Sequence, residues 1–102
     1  MATLHLINRS PLESRALEDC LARAGKGDAV LLIENAVYAA VKGADCEAVM
    51  ESARGQVTFY ALGPDLEARG VKTSEIAEKI CVVDYGGFVD LTADHQPIQF
   101  WF

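Results

Sequence analysis

The strongest potential nucleophiles in this chain of 102 residues are three cysteines, Cys20, Cys46 and Cys81. Their number is odd and no two stand in a Cys-x-x-Cys pair, so neither a disulfide framework nor a zinc site is indicated, and reduced thiols are expected. A cysteine is a nucleophile only as the thiolate, which needs exposure and a neighbour that favours negative charge. Cys20 is the informative thiol. Its spacing argues for the core, because it shares a helical stripe with Leu12, Ala16, Leu17, Leu21 and Ala24. Ser10 as N-cap, Pro11 in the first turn and Glu13 in a capping box predict that this helix begins at once after the first strand. Cys20 then lies roughly 15 Å beyond the cap, too far for the helix dipole to lower its pKa. A functional role requires the end of the stripe to be exposed, or covered only by a partner. Cys81, inside an apolar strand, reads as a core residue; Cys46, near the start of a polar helix, reads as exposed without an activating neighbour.

The remaining polar groups are chemically thin. His5 and His95 lie far apart and neither has a cysteine or carboxylate at ligand spacing, so no metal is expected. Glu34 and Asp84 each end a strand and could face one crevice as an acidic pair, although solvated strand-end carboxylates are the commoner case. Tyr85 precedes Gly86-Gly87, where the glycines permit a turn and the ring packs under the following helix. The first loop has neither the glycine spacing of a dinucleotide fingerprint nor a phosphate-loop pattern, so no nucleotide or other cofactor is expected. The ending Phe100-Trp101-Phe102 places three aromatics on a terminal edge strand and marks a candidate interface. The alternative is that Phe100 and Phe102 fill the core while Trp101 caps a helix.

The elements that would position these residues follow from periodicity and turn chemistry. Strands are predicted at 3–8, 29–33, 56–61, 80–84 and 98–101. Between them, helices are predicted from Ser10 to Ala24, at 36–41 and 45–53, around 66–68, from Thr73 or Ser74 to about Lys79, and at 88–92. The unbroken run Ala29 to Ile33 reads as a strand covered on both faces. Alternation of this kind predicts an α/β fold, a three-layer α/β/α sandwich on a mostly parallel sheet of about five strands, as one domain over residues 1–102. Hydrophobic residues make up 51% and charged residues 24%, ordinary globular usage. The net charge of −6 works against direct contact with nucleic acid or anionic lipid. The longest apolar stretches, interrupted at Glu34, Asn35 and Lys42, are too short to span a membrane. The start of the chain has no basic region leading to a cleavage site, so a cytoplasmic location is expected.

Three segments carry a specific likeness: His5-Leu6-Ile7-Asn8-Arg9-Ser10-Pro11, Ala61-Leu62-Gly63-Pro64-Asp65-Leu66-Glu67-Ala68-Arg69-Gly70, and Val83-Asp84-Tyr85-Gly86-Gly87-Phe88-Val89-Asp90-Leu91-Thr92. Together with the aromatic ending, and in this order along nearly the whole chain, they resemble the DsrH/TusB family. The resemblance implies a subunit of a cytoplasmic sulfur-relay heterohexamer, built with sister DsrE/TusD-like and DsrF/TusC-like chains, that passes persulfide sulfur towards a DsrC/TusE-like acceptor. It also implies that the principal sulfur-bearing cysteine belongs to a sister subunit. The TusB branch feeds 2-thiolation of the wobble uridine of tRNA and commonly lacks a reactive thiol. The DsrH branch, tied to sulfur oxidation, carries a cysteine in its first helix where Cys20 stands here, and by that match the resemblance implies Cys20 as the candidate sulfur-carrying or partner-contacting thiol. Two other readings stay open at this level: a direct sulfur carrier using Cys20, and a small-molecule-binding flavodoxin-like module.

Overall fold

A computed structural model describes residues 2–102 and bears out the alternation of strands and helices. Five parallel strands, β1 (Leu4–Ile7), β2 (Ala29–Leu32), β3 (Thr58–Leu62), β4 (Ile80–Val83) and β5 (Ile98–Trp101), form one sheet in the order β4-β3-β2-β1-β5. Four α-helices lie between them: α1 (Ala16–Arg23), α2 (Glu47–Ala53), α3 (Gly63–Ala68) and α4 (Tyr85–Asp94). Short 3-10 helices span Glu34–Ala40 and Thr73–Glu75. β2 is central and completely buried, as its unbroken run of apolar residues predicts.

The strand order decides how the sheet is covered. From β1 to β4 the chain steps in one direction, and right-handed crossovers place all the intervening helices on the same face. There Ala16, Leu17 and Cys20 of α1, Met50 of α2 and Leu66 of α3 share a core with Ile7, Val30, Leu32, Phe59 and Ala61. The last crossover runs back past β3, β2 and β1, so α4 falls on the opposite face. Leu91 and Phe88 of α4 pack there with Leu4, Leu6, Leu31 and Leu62. Five strands span about 19 Å, and one helix of roughly 10 Å diameter covers about half of that width. The three layers are therefore unequal, and the sheet on the α4 side is only partly covered.

Close contact between α4 and β4 depends on Gly87. A Cβ placed there would lie 2.9 Å from Cβ of Val83, inside van der Waals contact, and both atoms sit on short rigid stems. Gly87→Ala is expected to push α4 off the sheet and to cost about 1–3 kcal/mol, or roughly 5–15 °C in melting temperature. Gly55→Ala, where a Cβ meets nothing within 4 Å, is the control expected to melt like the parent in the same thermal scan.

Several boundaries differ from expectation, each for a local reason. The first helix does not start at Ser10. The Ser10 carbonyl accepts from the N–H groups of Glu13 and Ser14 at 3.0 and 3.1 Å, and its Oγ accepts from Leu12 N–H at 3.2 Å, closing a turn. Ser14 Oγ then accepts from Ala16 N–H at 3.0 Å, and the helix begins at Ala16. Leu12, expected in the buried stripe, is 87% exposed. The helix predicted to run to Lys79 is a single turn ending at Glu75, because Ile76 bridges Val41 antiparallel and the Ala77 N–H donates to the Ala40 carbonyl at 2.8 Å. Tyr85, Gly86 and Gly87, expected to form a turn, are instead the first turn of α4, where Asp84 as N-cap accepts from Gly87 N–H at 2.8 Å.

Candidate functional site

The C-terminal strand presents two chemically different faces. Its register, Leu4 beside Ile98 and Leu6 beside Phe100, places Ile98 and Phe100 on the incompletely covered face. Ile98 is 45% exposed, Phe100 44% and Phe102 76%, and the two phenyl rings stack at 5.9 Å with an interplanar angle of 11°. On the exposed side of α4, Tyr85 and Val89 are also open, at 61% and 64%. This is an apolar surface of the kind that protein partners cover.

Trp101, grouped with Phe100 and Phe102 as an interface candidate on sequence, instead points to the other face and anchors the strand. Its indole N–H donates to Nδ1 of His5 at 3.0 Å, and Nε2 of His5 meets Oδ2 of Asp28 at 2.8 Å. An indole N–H is only a donor, so Nδ1 must accept; the ring proton then sits on Nε2 and is donated to Asp28. Asp28 accepts two further bonds, from Thr3 N–H and Gly25 N–H, both at 2.9 Å. Burial acts to raise the Asp28 pKa, but the bonds from His5, Gly25 and Thr3, with the attraction to His5, outweigh it and hold the carboxyl below its usual range. The arrangement resembles a histidine–carboxylate dyad, yet both ring nitrogens are occupied and His5 is 5% exposed, so the imidazole has no nitrogen free to take a proton from a substrate. The network ties together the start of the chain, the approach to β2 and the end of β5. Separations of 23 and 96 positions hid it from sequence reasoning.

Neither Cys20 nor Cys46 sits where a thiolate is favoured. Cys20 is fully buried in the core between α1 and the sheet. Although the shorter helix brings it nearer the N-terminus than expected, burial, aided by the negative charge of Asp28, pushes its pKa up to about 12. Cys46 is not exposed as its helix position suggested: it is the N-cap of α2, buried, with Sγ 3.5 Å from the Ala39 carbonyl. It lies in a cleft of about 350 Å³ whose walls include Leu12, Tyr38 and Val49 and whose rim carries Glu18 and Asp45. Burial raises its pKa, a local backbone bond lowers it, and Asp45, Glu47 and Glu18 raise it further, with a net upward shift. Cys81, expected in the core, is exposed, because β4 is an edge strand.

The other candidates have structural partners. Asp84 caps α4. Glu34 adopts a left-handed backbone, φ +50°, and its N–H donates to Asp65 Oδ2 at 2.6 Å, while Arg69 donates to Asn35 Oδ1 at 2.9 Å and to the Asp65 carbonyl at 3.2 Å. These contacts hold the loop after β2 against α3. His95 lies 2.8 Å from the Leu91 carbonyl through Nδ1, which therefore donates, and closes the end of α4. Among the described residues no three of His, Cys, Asp and Glu are grouped to hold a metal, and no helix is long and apolar enough to cross a membrane.

Comparison with known proteins places this architecture among relatives. Residues 9–98 match the family described as DsrH like protein. Protein TusB of Pectobacterium parmentieri is 36% identical over 98 residues, covering 96% of this chain and 99% of that protein. Protein TusB of Escherichia coli strain K12 is 39% identical over 101 residues, with the same shares covered. Among solved structures, the ychN protein from E. coli superposes with a TM-score of 0.77 over 98% of this chain and 99% of that one; at 14% identity the likeness is one of fold.

Proposed function

The chain belongs to the DsrH family, and from that premise we propose that it serves a bacterial sulfur relay leading to tRNA thiolation, as a subunit that shapes the relay complex while sister chains carry the sulfur. The observation that carries this reading is the contrast between an exposed aromatic face and thiols with raised pKa values. Ile98, Phe100 and Phe102 stand open on a half-covered sheet, whereas Cys20 and Cys46 are buried in surroundings that oppose the thiolate. The relatives' shared name TusB favours the tRNA branch over sulfur oxidation. The cysteine in the first helix, which resembles the oxidation branch, is no counterweight while it is occupied in packing. The partners proposed are DsrE/TusD-like and DsrF/TusC-like chains, with a DsrC/TusE-like acceptor downstream.

Co-expression with those sister chains tests the reading. Size exclusion with light scattering is expected to show a defined hetero-oligomer containing this chain, and mass spectrometry after treatment with a persulfide donor is expected to find the added sulfur, about 32 Da, on a sister chain. A chain that stays monomeric in the mixture, or that takes the sulfur on Cys20 itself, would count against it.

A further inference from the structure

The cleft that Cys46 shares with α1 and α2 joins apolar walls to charge of a single sign. Leu12 reaches it from the turn after β1, Tyr38 from the first 3-10 helix and Val49 from α2. These are large apolar groups left open to water, Leu12 87% exposed, Tyr38 42% and Val49 39%. Glu18 of α1 and Asp45 line the cleft as well, both exposed, and no lysine, arginine or histidine does. Two other clefts mix their signs. The one bordered by α2 and the start of β4 sets Lys42, Arg54 and Lys79 beside three glutamates, and the one along α3 sets Lys72 beside Glu67 and Asp84.

The negative charge is largely uncommitted. Asp45 enters no ion pair among the described residues. Glu18 meets Arg15 at 3.1 Å, but both side chains are more than half exposed, and so solvated a pair holds its carboxylate weakly. The positive end of α2 borders the same cleft, yet Asp45 and Glu47 flank its cap residue Cys46, two full charges against a partial one. Their field reaches the thiol: burial leads the rise in the Cys46 pKa, and Asp45, Glu47 and Glu18 each add to it. Walls of this kind take up the apolar body of a ligand as it leaves water, and the carboxylates select a positive head. The aromatic ring of Tyr38 in the wall favours the same head. An anion would meet like charge, and a neutral ligand would forgo the attraction. At about 350 Å³ the space falls within the range of small-molecule sites, at its lower end. We infer that the cleft between α1 and α2 binds a small organic cation, an ammonium carried on an apolar aryl or alkyl body, and that it does so whether or not the chain serves as an assembly subunit.

Titration of the isotope-labelled, full-length chain, followed by its amide NMR signals, tests the site with probes that share one body and differ in charge: phenethylammonium, 2-phenylethanol and 3-phenylpropionate. Phenethylammonium is expected to shift the signals of Leu12, Glu18, Tyr38, Asp45, Cys46 and Val49 with a dissociation constant below about 10 mM, the range open to a ligand of its size. 2-Phenylethanol is expected to bind at least about tenfold more weakly at low salt, and 3-phenylpropionate more weakly still. At about a tenfold excess over its dissociation constant, phenethylammonium is expected to slow iodoacetamide labelling of Cys46 about tenfold and to leave Cys81 unchanged. E18Q/D45N changes exposed side chains only, so it is expected to melt within a few degrees of the parent while losing most of the preference for the cation over the alcohol. A discrimination between cation and alcohol smaller than about tenfold, signal changes centred elsewhere, or an E18Q/D45N chain that keeps the parent's preference overturns the inference. Shifts of the same signals on concentrating the protein, or on adding a sister chain, with no probe present would give the cleft to a protein surface and overturn it as well.

Discussion

Asp28→Ala is expected to lower the melting temperature by about 10–20 °C at neutral pH, a loss of roughly 2–3 kcal/mol. The substitution leaves three donors unsatisfied in a largely dry site: Nε2 of His5, Thr3 N–H and Gly25 N–H. It also frees the imidazole that accepts the indole of Trp101, so the end of β5 loosens with the start of β2. The pH dependence follows from the direction of the shift. The Asp28 carboxyl is held below its usual range in the folded chain, so its ionised form binds the fold more tightly than the unfolded chain does. That stabilisation is fully present above the unfolded pKa of about 4 and disappears as pH falls through the lower, folded value. The margin between parent and Asp28→Ala is therefore expected to be constant from about pH 5 upward and to shrink below about pH 4. Trp101 is the single tryptophan, so its fluorescence reports both global melting and release of the indole. A variant that melts with the parent at pH 7, or a margin unchanged at pH 3, would show that the carboxylate does not hold these strands together.

The contrast between this network and the helix boundaries shows which kinds of information a linear reading carries. Strand cores were legible because each depends on a local run: Ala29 to Leu32 is apolar without interruption and is the central, fully buried strand. The class of fold followed from alternation alone. α1 starts later than Ser10, Pro11 and Glu13 predict, although these have the right chemistry for a cap, because the chain uses Ser10 to close the preceding turn and the helix begins only after Arg15, its N-cap. Two helix starts compete there, and the winner is the one that turns Ala16, Leu17 and Cys20 towards the sheet.

Exposure was harder to read than secondary structure, since it depends on strand order. Ile80-Cys81-Val82-Val83 has the composition of a central strand, yet the order β4-β3-β2-β1-β5 places it at an edge, with Cys81 exposed and Val82 41% exposed. The same order assigns one helix to the whole α4 side of the sheet. The aromatic ending was recognisable as an interface candidate, but the division of labour within it was not. Phe100 and Phe102 face outward, whereas Trp101 is turned inward by a bond to a residue 96 positions away. Alternation along a strand predicts that neighbours face opposite ways; which way each faces needs the partner strand.

Thiol reactivity provides the widest predicted contrast in the molecule. At pH 8 a thiol with a pKa near 12 is ionised about once in 10⁴, against roughly one in four for a free cysteine, so alkylation of native Cys20 is expected to be at least about 10³-fold slower than in the unfolded chain. Its complete burial slows the reaction further, because reagent reaches the sulfur only through opening of α1 from the sheet. Cys81, exposed on β4, is expected to react first, and Cys46, beneath its acidic rim, to be protected to an intermediate degree. Timed iodoacetamide labelling followed by peptide mass spectrometry measures all three sites in one experiment, with labelling in denaturant as the reference. The ordering separates two uses of a first-helix cysteine that look alike in sequence. A carrier must present sulfur to another chain in its folded state, so its thiol reacts faster than denaturant-scaled opening allows. A packing residue reacts only through that opening, and its rate rises with every destabilising substitution, Asp28→Ala included. Cys20 labelled as rapidly as Cys81 in the folded parent would remove the basis for assigning sulfur transfer to the sister chains.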